Sequence, residues 1–305
     1  MPIGVIAGIL PWNFPFFLIA RKMAPALVTG NTIVLKPSSD TPIGALEFAK
    51  LCDKVGIPAG VVNFVTGPGS VVGNELSKNP KIGMASLTGS VSAGKRIMSA
   101  AAEHVGEVSL ELGGNAPAIV CDDADIDEAV KDIIGSRFDN NGELCNNVQR
   151  VYVQEGVADE FMEKLVAGVK AITTGDTVKN PDIGMGPLIN KAALDKVDSQ
   201  VKQAVKEGAK VVVGGKPMEG KGFFYEPTIL TNVTQEGSAI QDEIFGPVLP
   251  VMTFKNLKDA VEMCNDSTMG LTSGIFTKSL DRAAYAINEI QAGETYVNRN
   301  YFEAM

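Results

Sequence analysis

Histidine is nearly absent from this chain, which has one copy, His104, among 305 residues. A single imidazole cannot supply the His cluster that many zinc sites use. It also leaves one candidate for a Ser-His or Cys-His catalytic pair. We therefore expect no metal site, and we interpret His104 as a polar residue at a helix end.

Cysteine is also scarce, and its four copies are far apart without a C-x-x-C pair. A chain of this length does not depend on disulfides for its stability. We expect free thiols in a reducing, cytoplasmic setting. The four residues are Cys52, Cys121, Cys145 and Cys264.

Positive charge is in deficit, with a net charge of -9 and a pI near 4.8. No run of Lys or Arg offers a surface for a phosphate backbone, so we do not expect nucleic acid as a partner. The first twenty residues carry no charged side chain, so a signal peptide or a membrane span has to be considered. Because prolines interrupt this stretch and it contains no basic n-region, we expect a buried strand, turn and helix, and no membrane association.

Short β-rich runs alternate with amphipathic segments between residues 4 and 121. Such alternation predicts an α/β fold with a Rossmann-like parallel sheet covered on both faces. We expect one helix to begin with Thr41 as its N-cap and Pro42 as its first residue, and to end at Gly56. A further α/β region follows, in which Asp125 is the expected N-cap of a helix that runs toward Cys145.

Two glycine-containing turns are candidates for binding phosphate. In VTGPGSVVG, Gly67, Gly69 and Gly73 follow a strand, although the spacing is one residue longer than the dinucleotide fingerprint. The stretch LTGS then presents Thr88, Gly89 and Ser90 at a second helix opening. Two such openings on neighbouring parallel strands favour a dinucleotide site, whereas each alone is equally consistent with a plain β-α turn.

Three other side chains have both a chemical and an ordinary interpretation. Lys36 at a strand end could bind ribose hydroxyls or be a solvated surface charge. Glu111 in LELGGN could be a general base if its strand is buried, or a surface carboxylate. Asn13 in PWNFP could donate to an oxyanion, or simply cap the following helix.

Cys145 lies in the polar run NNGELCNNVQR rather than in an apolar segment. Free cysteines are most often small buried hydrophobes. A thiol at the polar end of a helix is also a candidate nucleophile. The choice between a buried apolar role and a nucleophilic role for Cys145 depends on the other candidate residues.

Together these residues resemble the NAD(P)-dependent aldehyde dehydrogenase superfamily. The family's order is kept across almost the whole chain by PWNFP, TGNTIVLKPS, LTGS, LELGGNAP, the polar run before Cys145, and DEIFGPV. Within the superfamily, four segments are most similar to lactaldehyde and glycolaldehyde dehydrogenases: FFLIARKMAPAL, TGSVSAGKRIM, MGPLIN and ETYVNRNYFEAM. The resemblance implies a cofactor-binding domain at residues 1–113 and a catalytic domain at residues 114–305.

The resemblance also assigns catalytic roles. Cys145 would attack the aldehyde, and the Asn13 amide and the Cys145 N–H would hold the oxyanion. Glu111 would activate the water that hydrolyses the thioester. This glutamate is typically absent from the CoA-acylating branch, so its presence argues against that chemistry.

The implied cofactor is NAD, with NADP possible. Many NAD-preferring members have a Glu where this chain has Ser39, and losing that carboxylate removes its repulsion toward a 2'-phosphate. The residues implied at the cofactor are Trp12, Lys36, Ser39, Gly67, Gly73, Thr88, Gly89, Ser90, Leu112, Glu243 and Phe245. Arg21, Asn146 and Glu303 are the candidates for the substrate.

The leading hypothesis is the oxidation of a small aliphatic, hydroxylated, lactaldehyde-like aldehyde to its carboxylate. A succinate-semialdehyde-type specificity, with Arg21 pairing with the distal carboxylate, is an alternative. Family members are longer at both ends, so an inactive nucleotide-binding fragment is a third hypothesis. The resemblance implies a homodimer or homotetramer for the full-length form.

Overall fold

The computed structural model describes residues 1–301, and Glu303 lies outside the described residues. The chain divides into two compact units, Met1–Gly113 and Gly114–Met305. Both contain parallel sheets with helices between the strands, which confirms the predicted α/β class. The two units are described separately below.

The first unit contains a five-stranded sheet with the strand order β3-β2-β1-β4-β5. All of its strand pairs are parallel. The strands are β1 (Val5–Ile9), β2 (Thr32–Lys36), β3 (Val62–Phe64), β4 (Ile82–Thr88) and β5 (Glu107–Glu111). The helices are α1 (Pro15–Val28), α2 (Pro42–Lys54), α3 (Asn74–Lys78), which a π-helical turn at Gly69–Gly73 precedes, and α4 (Val91–Ala102).

Apolar side chains cover both faces of this sheet, as predicted. Successive residues of a strand point to opposite faces, so Ile6 joins the cluster under α1 and Ile9 joins the cluster under α4. The chain reverses its direction of winding between β1 and β4. In such sheets, ligands bind at the carboxyl ends of the strands near this reversal.

The ends of α2 follow the sequence signals with one exception. Pro42 is the first helical residue, and Gly56 follows the helix with a φ of +79°. Thr41 is the N-cap, but its hydroxyl makes no capping hydrogen bond. Its backbone has a ψ of 51°, outside the extended region from which a capping side chain normally reaches the helix. His104 follows α4, as the interpretation of a helix-end residue predicted.

The second unit contains a seven-stranded sheet with the order β12-β11-β6-β7-β10-β9-β8, in which only the β8–β9 pair is antiparallel. The strands are β6 (Ala116–Val120), β7 (Val148–Gln154), β8 (Lys210–Val213), β9 (Thr228–Thr231), β10 (Val248–Phe254), β11 (Thr272–Phe276) and β12 (Glu294–Val297). The helices are α5 (Ile126–Phe138), α6 (Ala158–Lys170), α7 (Lys191–Lys206), α8 (Ser238–Gln241), α9 (Leu257–Asn265) and α10 (Leu280–Glu289), with 3-10 turns at Asp139–Gly142 and Glu155–Val157.

The elements of this unit that were not expected from sequence include β9, β11 and α10. The two strands have four and five residues, and every position of β11 is buried, so neither shows the apolar–polar alternation that marks a strand. The N-cap of α5 was predicted correctly, because the Asp125 carboxylate accepts a hydrogen bond from the Glu128 amide.

Candidate functional site

The loop that presents Cys145 begins where α5 ends. Asn140, Asn141 and Gly142 have φ angles of 46°, 59° and 72°, three consecutive left-handed residues. Asn and Gly are the residues that adopt this conformation at least cost, so the sequence NNG suits the turn. The turn ends the helix and leads through Cys145 into β7.

Cys145 differs in burial from the other three cysteines. It is half-buried, whereas Cys52, Cys121 and Cys264 lie in the core. Burial raises the pKa of Cys121 to about 11 and of Cys264 to about 12, so both remain thiols at neutral pH. Of the four, Cys145 is therefore the one whose position suits a nucleophile.

The backbone around Cys145 is held by neighbouring strand starts of the same unit. A Cβ on Gly114 would overlap the Cys145 carbonyl oxygen, so this contact requires glycine. The Thr272 hydroxyl donates to the Asn146 carbonyl at 2.9 Å, and the Asn146 amide donates to the Tyr301 carbonyl at 3.2 Å. These contacts fix the loop at the amino ends of β6, β7 and β11.

Glu243 belongs to the same group of residues. Its carboxylate accepts a hydrogen bond of 3.1 Å from the Gly114 amide. Phe245, two residues later, is half-buried just before β10. The second unit thus brings together Cys145, Asn146 and Glu243, three of the residues predicted from the sequence.

Glu143 was missed by the sequence analysis. Its side chain is only 3% exposed, and burial raises its pKa to about 8. Hydrogen bonds from the Ile189 amide, at 3.2 Å, and from Asn141 oppose this shift. The sequence signal was its place two residues before Cys145, but its burial depends on a segment more than forty residues away.

Most of the remaining candidates lie in the first unit, and several of them are at the carboxyl edge of its sheet. The register places Lys36 and Leu87 opposite Ile9, and Glu111 opposite Thr88. The last residues of β2, β4 and β5 therefore share one edge of the sheet.

Lys36 is not the solvated surface charge that was its alternative interpretation. It is 3% exposed, and burial lowers the pKa of its ammonium group. The ammonium donates to the Pro37 carbonyl at 2.7 Å. An ammonium has three N–H donors, so two remain for hydroxyl acceptors of a ligand.

Asn13 and Trp12 are half-buried in the turn between β1 and α1. The N-cap of α1 is Phe14, with Pro15 as the first helical residue, so Asn13 lies one position before the cap. The alternative that Asn13 caps the helix is therefore wrong. Its amide sits on a turn held between a buried strand and a proline-initiated helix.

Glu111 is half-buried at the end of β5, but the strand is not buried as the base interpretation assumed. No position of β5 is buried, because it is the last strand at its side of the described sheet. The charge of Glu111 acts on Lys22, a residue that the sequence did not single out. Burial lowers the pKa of Lys22 to about 8, while the Glu111 charge opposes the shift.

Lys22 projects from α1, and its ammonium donates to the Ser86 hydroxyl of β4 at 2.9 Å. The sequence analysis chose its neighbour Arg21 instead. The Arg21 side chain is exposed, with its guanidinium 5.7 Å from the centre of the Phe17 ring. Only the packing of α1 on the sheet distinguishes the two adjacent cations.

The first glycine turn is joined to the loop after β2. The Ser39 hydroxyl donates to the Gly67 carbonyl at 3.3 Å. Gly67 has a φ of +142°, and a Cβ there would lie 2.6 Å from a Val72 methyl carbon, so glycine is required. Gly73 is buried at the end of the π-helical turn.

The second glycine turn is held by local hydrogen bonds. The Gly89 amide donates to the Glu111 carbonyl at 3.0 Å, and the Ser90 hydroxyl accepts from the Ala93 amide as the N-cap of α4. Thr88 is buried at the end of β4. Leu112 packs on α4, 2.6 Å from where a Cβ on Gly94 would lie.

The described residues contain neither a candidate metal site nor a candidate membrane span. No group of three or more His, Cys, Asp or Glu side chains in residues 1–301 is placed to hold a metal ion. Within the same part of the chain, every helix is too short or too polar to cross a bilayer.

Comparison with known proteins agrees with the resemblance noted in the sequence. The lactaldehyde dehydrogenase of Escherichia coli (strain K12) is 57% identical over 303 residues, which cover 99% of this chain and 63% of that protein. The succinate-semialdehyde dehydrogenase (NADP(+)) of the same organism is 44% identical over 297 residues, covering 97% of this chain and 61% of that protein.

Solved structures agree as well. The crystal structure of lactaldehyde dehydrogenase from Escherichia coli matches with a TM-score of 0.98 at 56% identity, covering 100% of this chain and 64% of that chain. This chain therefore spans less than two thirds of the length of these relatives. The profile of the aldehyde dehydrogenase family matches residues 1–305. This chain belongs to the aldehyde dehydrogenase family.

Proposed function

We propose that this protein oxidises a small aliphatic, hydroxylated aldehyde to its carboxylate with NAD or NADP. The observation that carries the proposal is the position of Cys145. It is the one cysteine outside the core, on a loop braced by Gly114 and Thr272. The 57% identity to a lactaldehyde dehydrogenase supports the substrate class.

In this mechanism the Cys145 sulfur attacks as the thiolate and forms a C–S bond to the carbonyl carbon of the aldehyde. The carbonyl double bond becomes a C–O⁻ single bond, which the Cys145 N–H and the Asn13 amide stabilise by hydrogen bonds. The chain fixes the first donor through the contact of the Cys145 carbonyl with Gly114. It fixes the second through the turn between β1 and Pro15.

The residues at the carboxyl edge of the first sheet fit a dinucleotide. Lys36 has buried N–H donors that can bind ribose hydroxyls, as can the Glu243 carboxylate. A bound dinucleotide would supply the acceptor for the hydride that leaves the former aldehyde carbon. The other residues that we assign to dinucleotide binding are Trp12, Ser39, Gly67, Gly73, Thr88, Gly89, Ser90, Leu112 and Phe245.

Ser39 supports acceptance of NADP as well as NAD. It is exposed, and its hydroxyl faces the Gly67 carbonyl rather than carrying a negative charge. This position therefore carries no carboxylate that would repel a 2'-phosphate. The NADP(+) relative shows that the family includes enzymes for this cofactor.

The remaining thioester must be hydrolysed, and we assign Glu111 as the base that removes a proton from the attacking water. Lys22 is suited to support it. Its ammonium is partly desolvated, lies within electrostatic reach of Glu111 and is held by Ser86. We infer that Lys22 positions Glu111 and favours its charged form.

Arg21 and Asn146 are the proposed contacts to the substrate hydroxyl. Arg21 has an exposed guanidinium on α1, and Asn146 is adjacent to the nucleophile. Both can donate hydrogen bonds to a hydroxyl oxygen. Glu303 remains a sequence-based prediction for the same role.

The appearance of reduced nicotinamide on addition of lactaldehyde or glycolaldehyde to the full-length protein tests the proposal. Cys145→Ala should abolish the signal, whereas Cys52→Ala, which removes a buried thiol, should retain it. A parent protein without signal, or a Cys145→Ala variant with full signal, would refute the proposed function.

A succinate-semialdehyde specificity is the second candidate, supported by the 44% identity to that enzyme and by the exposed Arg21. Arg21 would pair with the distal carboxylate of that substrate. A higher kcat/KM for succinate semialdehyde than for lactaldehyde, lost in Arg21→Gln, would favour it. Dinucleotide binding without turnover of any aldehyde would instead favour a binding fragment.

We also propose a cytoplasmic location and a homodimer or homotetramer for the full-length protein. These follow from the family resemblance and from the free cysteines, which suit a reducing compartment. Light scattering of the purified full-length protein measures the assembly state directly.

A further inference from the structure

Arg137 is a completely buried arginine at the end of α5, and the proposed mechanism gives it no role. Its guanidinium donates to four oxygen atoms of neutral groups. The acceptors are the Asn147 side chain at 3.1 Å, the Val148 carbonyl at 3.3 Å, the Ile244 carbonyl at 2.6 Å and the Gly246 carbonyl.

These acceptors belong to two different loops. Asn147 and Val148 are two and three residues after Cys145, at the start of β7. We call residues 143–148 the nucleophile loop. Ile244 and Gly246 flank Phe245 and lead into β10, in what we call the cofactor loop (residues 243–247). One side chain therefore holds both loops at once.

The guanidinium takes the place of missing strand pairing. Although β7 and β10 are neighbours, their ladder begins only at Val151 and Val251. The first three residues of β10 pair only with β9, on the other side of the strand, and Pro250 has no N–H to donate. Arg137 supplies the hydrogen bonds that join the two strand starts where the ladder is absent.

The turn immediately before the nucleophile loop also contacts the backbone of the cofactor loop directly. Gly142, with a φ of +72°, packs against the Gly246 carbonyl so closely that a Cβ would overlap it. The spacing between the segments therefore depends on a glycine contact on one side and a rigid guanidinium on the other. Such a fork of donors holds several oxygens in a fixed geometry, which a lysine cannot do.

We infer that Arg137 is a positioning residue that sets the distance between the nucleophile Cys145 and the cofactor loop carrying Glu243 and Phe245. This inference rests on the proposed function. It predicts that Arg137 matters for steps that need both loops in register and matters little for steps that need the thiol alone.

The test compares two reactions of the full-length protein. Hydrolysis of p-nitrophenyl acetate requires the thiol to displace p-nitrophenolate and water to release acetate, but it needs no dinucleotide. Aldehyde oxidation requires both loops. We expect Arg137→Lys to reduce aldehyde oxidation by about 10- to 100-fold while changing ester hydrolysis by less than about threefold.

Arg150→Lys is the matched control. Arg150, in β7 of the same unit, is also completely buried and also donates to carbonyl groups, among them those of Asn115 and Cys264. It should lower thermal stability without changing the ratio of the two activities. If Arg137→Lys does not fold, Arg137→Gln, whose amide can still donate to one loop, replaces it.

An equal loss of both activities in the Arg137 variant, or no loss of either, would overturn the inference. A parent that hydrolyses the ester but oxidises no aldehyde would overturn the proposed function, and the inference with it. An active parent with an unchanged ratio would overturn only the role of Arg137.

Discussion

The Gly114 amide donates a 3.1 Å hydrogen bond to the Glu243 carboxylate, and the α-carbon of the same glycine faces the Cys145 carbonyl. Gly114 thus links a predicted cofactor ligand to the predicted nucleophile without any side chain of its own. Its φ is outside the left-handed region, so glycine is needed here for space and not for backbone conformation.

Gly114→Ala should therefore displace the Cys145 backbone. We expect a loss of stability of about 1–3 kcal/mol from overpacking. We also expect a fall in kcat of about 100-fold, because the Cys145 N–H, the proposed oxyanion donor, would move with the loop. Gly156→Ala is the control, since its Cβ would meet its nearest neighbour, Asp122, at an ordinary 3.9 Å. Equal effects of the two substitutions would contradict this view of Gly114.

Glu143 should make stability depend on pH. Its pKa is raised by burial from 4.5 to about 8, so the folded state binds an extra proton between these values. Its contribution to the free energy of unfolding is fully present below pH 4.5 and is lost as the pH rises through about 8. Glu143→Gln should remove this loss and be more stable than the parent by about 2–4 kcal/mol above that range.

Urea unfolding of the parent and Glu143→Gln across this pH range measures the effect. The two curves should converge at the acidic end and separate as the pH rises. A constant difference at every pH would show that Glu143 does not titrate in the folded protein.

Lys22 should have the opposite pH dependence. Its pKa is lowered from 10.5 to about 8, mainly by burial, so its stabilising contribution is present above 10.5 and lost as the pH falls through about 8. Lys22→Met removes the buried ammonium but also its bond to Ser86, worth about 1 kcal/mol. The difference in unfolding free energy between variant and parent should therefore favour the variant most at neutral pH.

This difference should shrink between pH 8 and 10.5, where the parent ammonium loses its proton. Comparing the variant with the parent cancels the titration of the buried thiols and tyrosines. If the difference did not change with pH, the Lys22 ammonium would not be the group that titrates.

Ser39 is predicted to control the choice of cofactor. Ser39→Glu should lower kcat/KM for NADP by about tenfold or more through repulsion of the 2'-phosphate, with a smaller effect on NAD. Ser39→Gln introduces a side chain of nearly the same size as Ser39→Glu but without its charge. Comparing the two variants therefore separates the effect of charge from that of size. Steady-state kinetics with both dinucleotides measures the ratio, and a similar loss in both variants would argue for crowding instead.

Local signals in the sequence predicted much of the fold. The alternation of apolar strands with helices predicted the parallel sheet of the first unit, and Asp125 predicted the start of α5. These features depend on neighbouring residues, so a reading of the chain in order can find them. β9 and β11 were missed because their short sequences carry no distinctive periodicity.

The chemical environment of single side chains was harder to predict. Lys22 was passed over for Arg21 because its burial depends on Ser86, 64 positions later. Arg137 was overlooked because two of its acceptors, in Ile244 and Gly246, are more than one hundred positions away. Motifs reveal residue types at fixed spacing, whereas desolvation depends on contacts between distant segments.

The central claim is that Cys145 forms a thioester that Glu111 then helps to hydrolyse. The most direct test is to mix Glu111→Gln with lactaldehyde and dinucleotide, and to follow both reduced nicotinamide and peptide masses. We predict a burst of about one reduced nicotinamide per active site with an acyl group on the Cys145 peptide, because the thioester accumulates when its hydrolysis is slow. A burst with the acyl group on another cysteine, or steady turnover equal to that of the parent, would contradict the claim.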